Sequence, residues 1–88
     1  MIQVKKENGG KFRVVIEEKG FTTQHLVSLD DGYYEELTQG KISKEELIRR
    51  SFTFLLEREP KESILTRFDL KVINHYFPDF EEKIRETL

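Results

Sequence analysis

Few side chains in this sequence could do chemistry, and their spacing decides what kind. There are two histidines, His25 and His75, and no cysteine. A histidine can serve as a general base or a metal ligand. Neither one here stands in an H-x-x-x-H or H-E-x-x-H spacing that would bring ligands together. His25 falls on the same strand face as Val27 and Leu29, which predicts a partly buried, hydrogen-bonded imidazole. His75 falls at the edge of a helical stretch, Asp69–Phe77. The Asp30–Asp31 pair could in principle divide acid and base roles. Its place at a strand end just before a helix favours capping instead. No G-x-S-x-G nucleophile elbow is present, and Gly9-Gly10 lacks a phosphate-loop pattern. The absence of cysteine removes disulfides, thiolate metal sites and a cysteine nucleophile. The expectation is a non-enzymatic domain with no catalytic, cofactor or metal residues. Any residual site would have to be assembled from scattered groups around His25.

The aromatic residues are more informative. Tyr33-Tyr34 and Tyr76-Phe77-Pro78 each place adjacent rings on different sides of a helix. One ring of each pair cannot share the core direction of the other. Tyr33, Tyr76 and Phe80 are therefore candidates for an exposed apolar patch that meets another protein or a second copy of the chain.

These residues must be positioned by the elements around them. Ile2 and Val4 alternate with polar residues, and so do Phe12, Val14 and Ile16. Asn8-Gly9-Gly10 between the two runs predicts a tight hairpin. Glu18-Lys19-Gly20 reads as a second turn, and Thr22–Leu29 as a third strand. Thr23, His25, Val27 and Leu29 lie on one side of that strand, with Gln24, Leu26 and Ser28 on the other. Asp30 can cap a short helix that carries Tyr33, Tyr34 and Leu37 and ends near Gly40. The best-specified element runs from Ile42 to Pro60. Ser43 and Glu46 form an S-x-x-E capping box, and Ile42 and Leu47 stand in staple positions. Leu47, Ile48, Phe52, Leu55 and Leu56 gather on one side, and Pro60 stops the helix. Lys61–Thr66 reads as a short helix with Ile64 and Leu65 turned inward. Asp69 reads as a cap for the stretch to Phe77, and Phe80, Ile84 and Leu88 recur in a last helix.

Strands first and helices afterwards predict an α+β fold: a three-stranded antiparallel β-meander over residues 1–29, then four to five α-helices over residues 30–88, packed on one face. The 88 residues suit a single domain. Hydrophobic and charged contents are both 36%, so a thin core lies under a heavily solvated surface. Seven Phe and three Tyr carry much of the apolar area and argue against disorder. A net charge of −2 gives no general attraction to nucleic acid or anionic membrane. Residues 41–71 are locally positive, with eight Lys/Arg against six Asp/Glu. There is no signal-peptide run after Met1 and no membrane-spanning apolar stretch, which makes a cytoplasmic location the expectation.

Two resemblances follow. The run Ser51-Phe52-Thr53-Phe54-Leu55-Leu56-Glu57-Arg58-Glu59-Pro60, with Phe68-Asp69-Leu70 and Tyr76-Phe77-Pro78 after it, resembles a group of short bacterial and archaeal proteins of unassigned function. That resemblance implies a compact stand-alone domain and supplies no activity. Gln24–Asp31, Tyr33–Gln39 and Ser43–Phe52 are similar in order to the strand, helix and capped second helix of a ribbon-helix-helix DNA-binding domain. In that family two strands pair across a dimer and enter the major groove. The similarity implies a regulator whose Gln24 and Ser28 face the bases, with Leu26 between them, and whose Ser43 marks the backbone that grips phosphate. From the residues themselves the expectation is a protein-interaction module, with self-association as one form of it. DNA binding is the alternative.

Overall fold

The computed structural model describes all residues, Met1–Leu88. The elements run β1 (Ile2–Lys6), β2 (Lys11–Glu18), β3 (Phe21–Ser28), α1 (Asp31–Thr38), α2 (Lys44–Leu56), a single 3-10 turn (Lys61–Ser63), β4 (Arg67–Asp69), α3 (Val72–Tyr76) and α4 (Phe80–Glu86). The α+β class matches the expectation, and three strands precede the first helix, but a further strand falls among the helices. The sheet has one strand more than expected.

The first three strands form the meander. Gly9 and Gly10 adopt φ of 68° and 72°, the left-handed region that a tight turn needs and a side chain disfavours. The resulting register pairs Val4 with Val14 and Val14 with His25. Phe12, Val14 and Ile16 therefore share a face with Ile2, Val4, His25 and Val27. Phe12, Val14, Ile16, His25 and Val27 on that face are buried. The other face carries Gln3, Lys5, Arg13, Val15, Gln24 and Leu26, all exposed or half-buried.

The fourth strand corrects the expected three-stranded sheet. β4 runs parallel to β3, with Val27 opposite Phe68, and the strand order is β1-β2-β3-β4. Its path is set by Leu26 N–H donating to the Thr66 carbonyl at 2.8 Å and Leu70 N–H donating to the Ser28 carbonyl at 2.9 Å. A parallel neighbour requires a crossover, which α1 and α2 supply. Three residues, Arg-Phe-Asp, are too few to display a two-residue period, so the strand left no pattern to read. Asp69, expected as a helix cap, instead ends β4 and accepts from Lys71 N–H at 3.1 Å, and the helix has no side-chain cap. The helix that follows is shorter than expected and starts only at Val72. The expected Lys61–Thr66 helix is likewise reduced to its first turn.

α2 is the central helix. Ser43 Oγ accepts from Glu46 N–H at 3.1 Å, which is one half of the expected capping box; the Glu46 carboxylate turns to Arg50 rather than back to Ser43 N–H. Leu47, Ile48, Phe52 and Leu55 are buried. So is Phe54, which lies on a second side of the helix. Its ring meets Phe77 at 6.0 Å and Phe80 at 5.2 Å, both edge-on. The short C-terminal helices thus cover a side of α2 that a one-sided reading leaves in water. Arg50 pairs with Glu46 at 2.9 Å, in i, i+4 geometry. Arg49 turns to Glu46 and to the Ile2 carbonyl. No helix is long and apolar enough to cross a membrane.

Phe52 is completely buried, and truncating it leaves a cavity in the layer between α2 and the sheet. Phe52→Ala is expected to cost about 3–5 kcal/mol in urea unfolding. Val15→Thr, on the open face of the sheet, is expected to stay within about 0.5 kcal/mol of wild type. A smaller loss at Phe52 than at Val15 would contradict this packing.

Candidate functional site

The chemically capable groups are taken up by the fold. His25 is 1% exposed, with its ring 5.4 Å from that of Phe52. Its Nδ1 lies 2.7 Å from the Leu65 carbonyl and its Nε2 lies 2.9 Å from Thr23 Oγ1. A carbonyl only accepts, so Nδ1 carries a proton and donates to it, while Nε2 shares a hydrogen bond with the Thr23 hydroxyl. The imidazole therefore ties β3 to the segment leading into β4 and faces no cleft. The strand pattern predicts a partly buried, hydrogen-bonded histidine; the ring is hydrogen-bonded and buried completely. His75 is exposed at the end of α3, its ring edge-on to Tyr76. Asp30 Oδ2 accepts from Tyr33 N–H at 3.0 Å and caps α1. Asp31 pairs with Lys44, whose hydrogen bond and charge hold its carboxyl below the usual range. Lys61, almost wholly buried, donates to Glu62 at 2.8 Å and lies 3.8 Å from Glu18. No three His, Asp or Glu side chains converge in a metal-holding cluster.

The three aromatic candidates do not form one patch. Phe80 is fully buried beneath Phe54, so it leaves the proposed surface. The reason is the second packed side of α2, which gives the last helix a core to enter. Tyr33 is half-buried between α1 and α4 and donates its hydroxyl to Glu81 Oε2 at 2.9 Å. Burial raises its phenol above the ordinary value, and the bond to the Glu81 carboxylate raises it further. Tyr76 alone is widely open, at 63% exposure.

Tyr76 belongs to a groove that the sequence did not announce. The groove holds about 230 Å³. Its walls are Leu55, Ile64, Leu65, Phe68, Val72, Ile73, Tyr76 and Phe77, with Glu59 and Ser63 at the rim. Ile64 is buried, but Leu65 is 49% exposed. The expected helix would have turned both inward. After the single 3-10 turn the chain is extended, with Ile64 at ψ 135°, and in extended chain successive residues point to opposite sides. The usable signal was the run of adjacent apolar pairs, Ile64-Leu65, Val72-Ile73 and Tyr76-Phe77. In short elements, one member of each pair must look away from the core.

The residues matched to a DNA-reading strand are also placed. Gln24, Leu26 and Ser28 share the open face of the sheet. Gln24 is exposed, and Ser28 donates its hydroxyl to Asp69 Oδ2 at 3.0 Å. β3 is paired on both sides, with β2 and with β4. The β4 pairing covers Leu26–Ser28, so that half of β3 has no free edge for the intermolecular strand pairing of a ribbon-helix-helix dimer. Ser43 lies in the helical layer on the opposite face of the sheet, its hydroxyl used by Glu46 N–H.

Two outcomes follow. His25→Phe keeps the ring and deletes both hydrogen bonds, leaving the part-buried Leu65 carbonyl and Thr23 hydroxyl short of a partner. The expected loss is roughly 1–3 kcal/mol in urea unfolding, with faster amide exchange at Leu26. Unchanged stability and exchange would show that the imidazole does not anchor this segment. For Tyr33, the raised phenol favours the folded state while it is protonated. That contribution is fully present below the ordinary tyrosine value of 10.0 and is lost as pH rises toward the raised one. Tyr33→Phe should remove the most alkaline part of the tyrosinate absorbance titration. A titration curve unaltered apart from its total amplitude would contradict the Glu81 contact.

No protein-family model, curated protein or solved structure matches the chain.

Proposed function

We propose that this domain is a small non-enzymatic protein-interaction module and that the face formed by β4 and α3 is its contact surface. The observation that carries the reading is the apolar groove of about 230 Å³ with Leu65 and Tyr76 open at its mouth. A domain of this size gains stability by burying such side chains, at about 1.5–3 kcal/mol for each large one. Leaving Leu65 and Tyr76 exposed beside a concave apolar wall supports contact with another polypeptide. Tyrosine suits that place, because its ring supplies area and its hydroxyl remains satisfied in water.

The test is a photo-reactive residue introduced in the producing cells at position 76 and, as control, at exposed position 36 on α1. Discrete protein adducts are expected from position 76 only. They should disappear in Leu65→Ser, which changes the groove mouth with at most a small effect on folding. Equal yields from the two positions would refute the assignment of this face.

A further inference from the structure

The sheet has two outer strands, and the structure treats them differently. β1 is covered. Arg49 Nη1 donates to the Ile2 carbonyl, and Lys5 and Lys6 stand at the end of the strand. Lysine at an edge discourages further pairing. β4 is bare. Its pairing with β3 uses Thr66, Phe68 and Leu70, so the N–H and carbonyl groups of Arg67 and Asp69 point away from the sheet. None of these four groups takes part in a backbone hydrogen bond.

We propose that β4 pairs antiparallel with β4 of a second copy, about a two-fold axis through Phe68. This deepens the reading of the β4–α3 face as a contact surface and rests on it. In this register Arg67 of each copy stands opposite Asp69 of the other, and all four outward groups on each strand are satisfied. The two residues of such a pair have Cβ atoms about 4.5–5.5 Å apart on the same face, within reach of an ion pair. The charges are prepared for it. Arg67 is exposed and makes no ion pair within its own chain. The Asp69 carboxylate is oriented by the Ser28 hydroxyl and by Lys71 N–H.

The alternatives are worse for the same residues. Slipping the register by two residues sets Arg67 against Arg67, or Asp69 against Asp69, and leaves backbone groups unpaired. Only the two-fold register through Phe68 turns both charges into opposite pairs. That self-complementarity is what selects a second copy over an unrelated strand. On the helix side the half-buried Phe68 rings of the two copies meet, so the groove wall they form lies at the axis. The product is one continuous eight-stranded sheet, β1-β2-β3-β4 followed by its mirror order, with an isologous interface.

Sedimentation velocity over a concentration series tests this. Wild type should pass from monomer to dimer. Arg67→Asp puts acidic residues opposite each other at both ends of the seam and should raise the dissociation constant about tenfold or more. Asp69→Arg alone should do the same with basic residues. An equimolar mixture of the two variants should recover a 1:1 dimer, since each acidic pair then faces a basic pair. Because Asp69→Arg also deletes two bonds within the chain, amide exchange in wild type gives a second readout. Protection of Arg67 and Asp69 should rise with concentration while that of Val4 does not. A wild-type dimer unaffected by Arg67→Asp overturns the seam. A monomer at every concentration, whose position 76 still captures a different protein, overturns the dimer and leaves the interaction module standing.

Discussion

The ring of Phe52 lies between His25 of β3 and Phe68 of β4, 5.4 Å and 5.9 Å away. That one contact joins the central helix to both strands at the end of the sheet where the chain returns. It is fully excluded from water. The parallel strand β4 is only three residues long and could not persist on its few backbone bonds. It is held because Phe68 packs on Phe52, because Ser28 and Asp69 join the outer face, and because His25 grips the Leu65 carbonyl just upstream. The groove, the open edge and the extended segment before them all rest on that arrangement.

The polar chemistry of the molecule serves the same end. Ser43 and Asp30 cap helices, Asp31 is neutralised by Lys44, and Arg58 stacks on Phe54 while reaching Asp79. Every buried side-chain nitrogen or oxygen has a partner. A buried polar group without one costs about 1–3 kcal/mol, a large fraction of the stability of a small domain. What the fold leaves open includes apolar area at the mouth of one groove and four main-chain groups on β4. Those leftovers, and no set of reactive side chains, carry the functional reading.

Their position has a further consequence. Small sheets protect their edges with lysine, bulges or cover. β1 has lysine and an arginine laid over it, so the unprotected β4 stands out as a difference within a single sheet. Arg67 and Asp69 flank one aromatic residue in a three-residue strand, a pattern that reads the same, with opposite charges facing, when a copy is turned end for end.

Much of this was legible without coordinates. The hairpin follows from Asn8-Gly9-Gly10 between alternating runs, and the start of α2 from Ser43, although the helix ends at Leu56, ahead of the stop read at Pro60. The burial of His25 follows from its place between Thr23 and Val27 on a two-residue period. Each of these is a local rule, decided by residues a few positions apart. The fate of residues 61–77 was not local. β4, the extended Leu65 and the one-turn α3 exist because β3 offers a free edge and Phe52 offers a surface, more than ten residues away in the chain. The same holds for Phe80, whose burial depends on Phe54 across a helix–helix contact. The sequence by itself determined where the chain turns and which elements are strongly made. Only the tertiary structure decided which apolar residues stay in water, because that depends on which surfaces arrive to cover them.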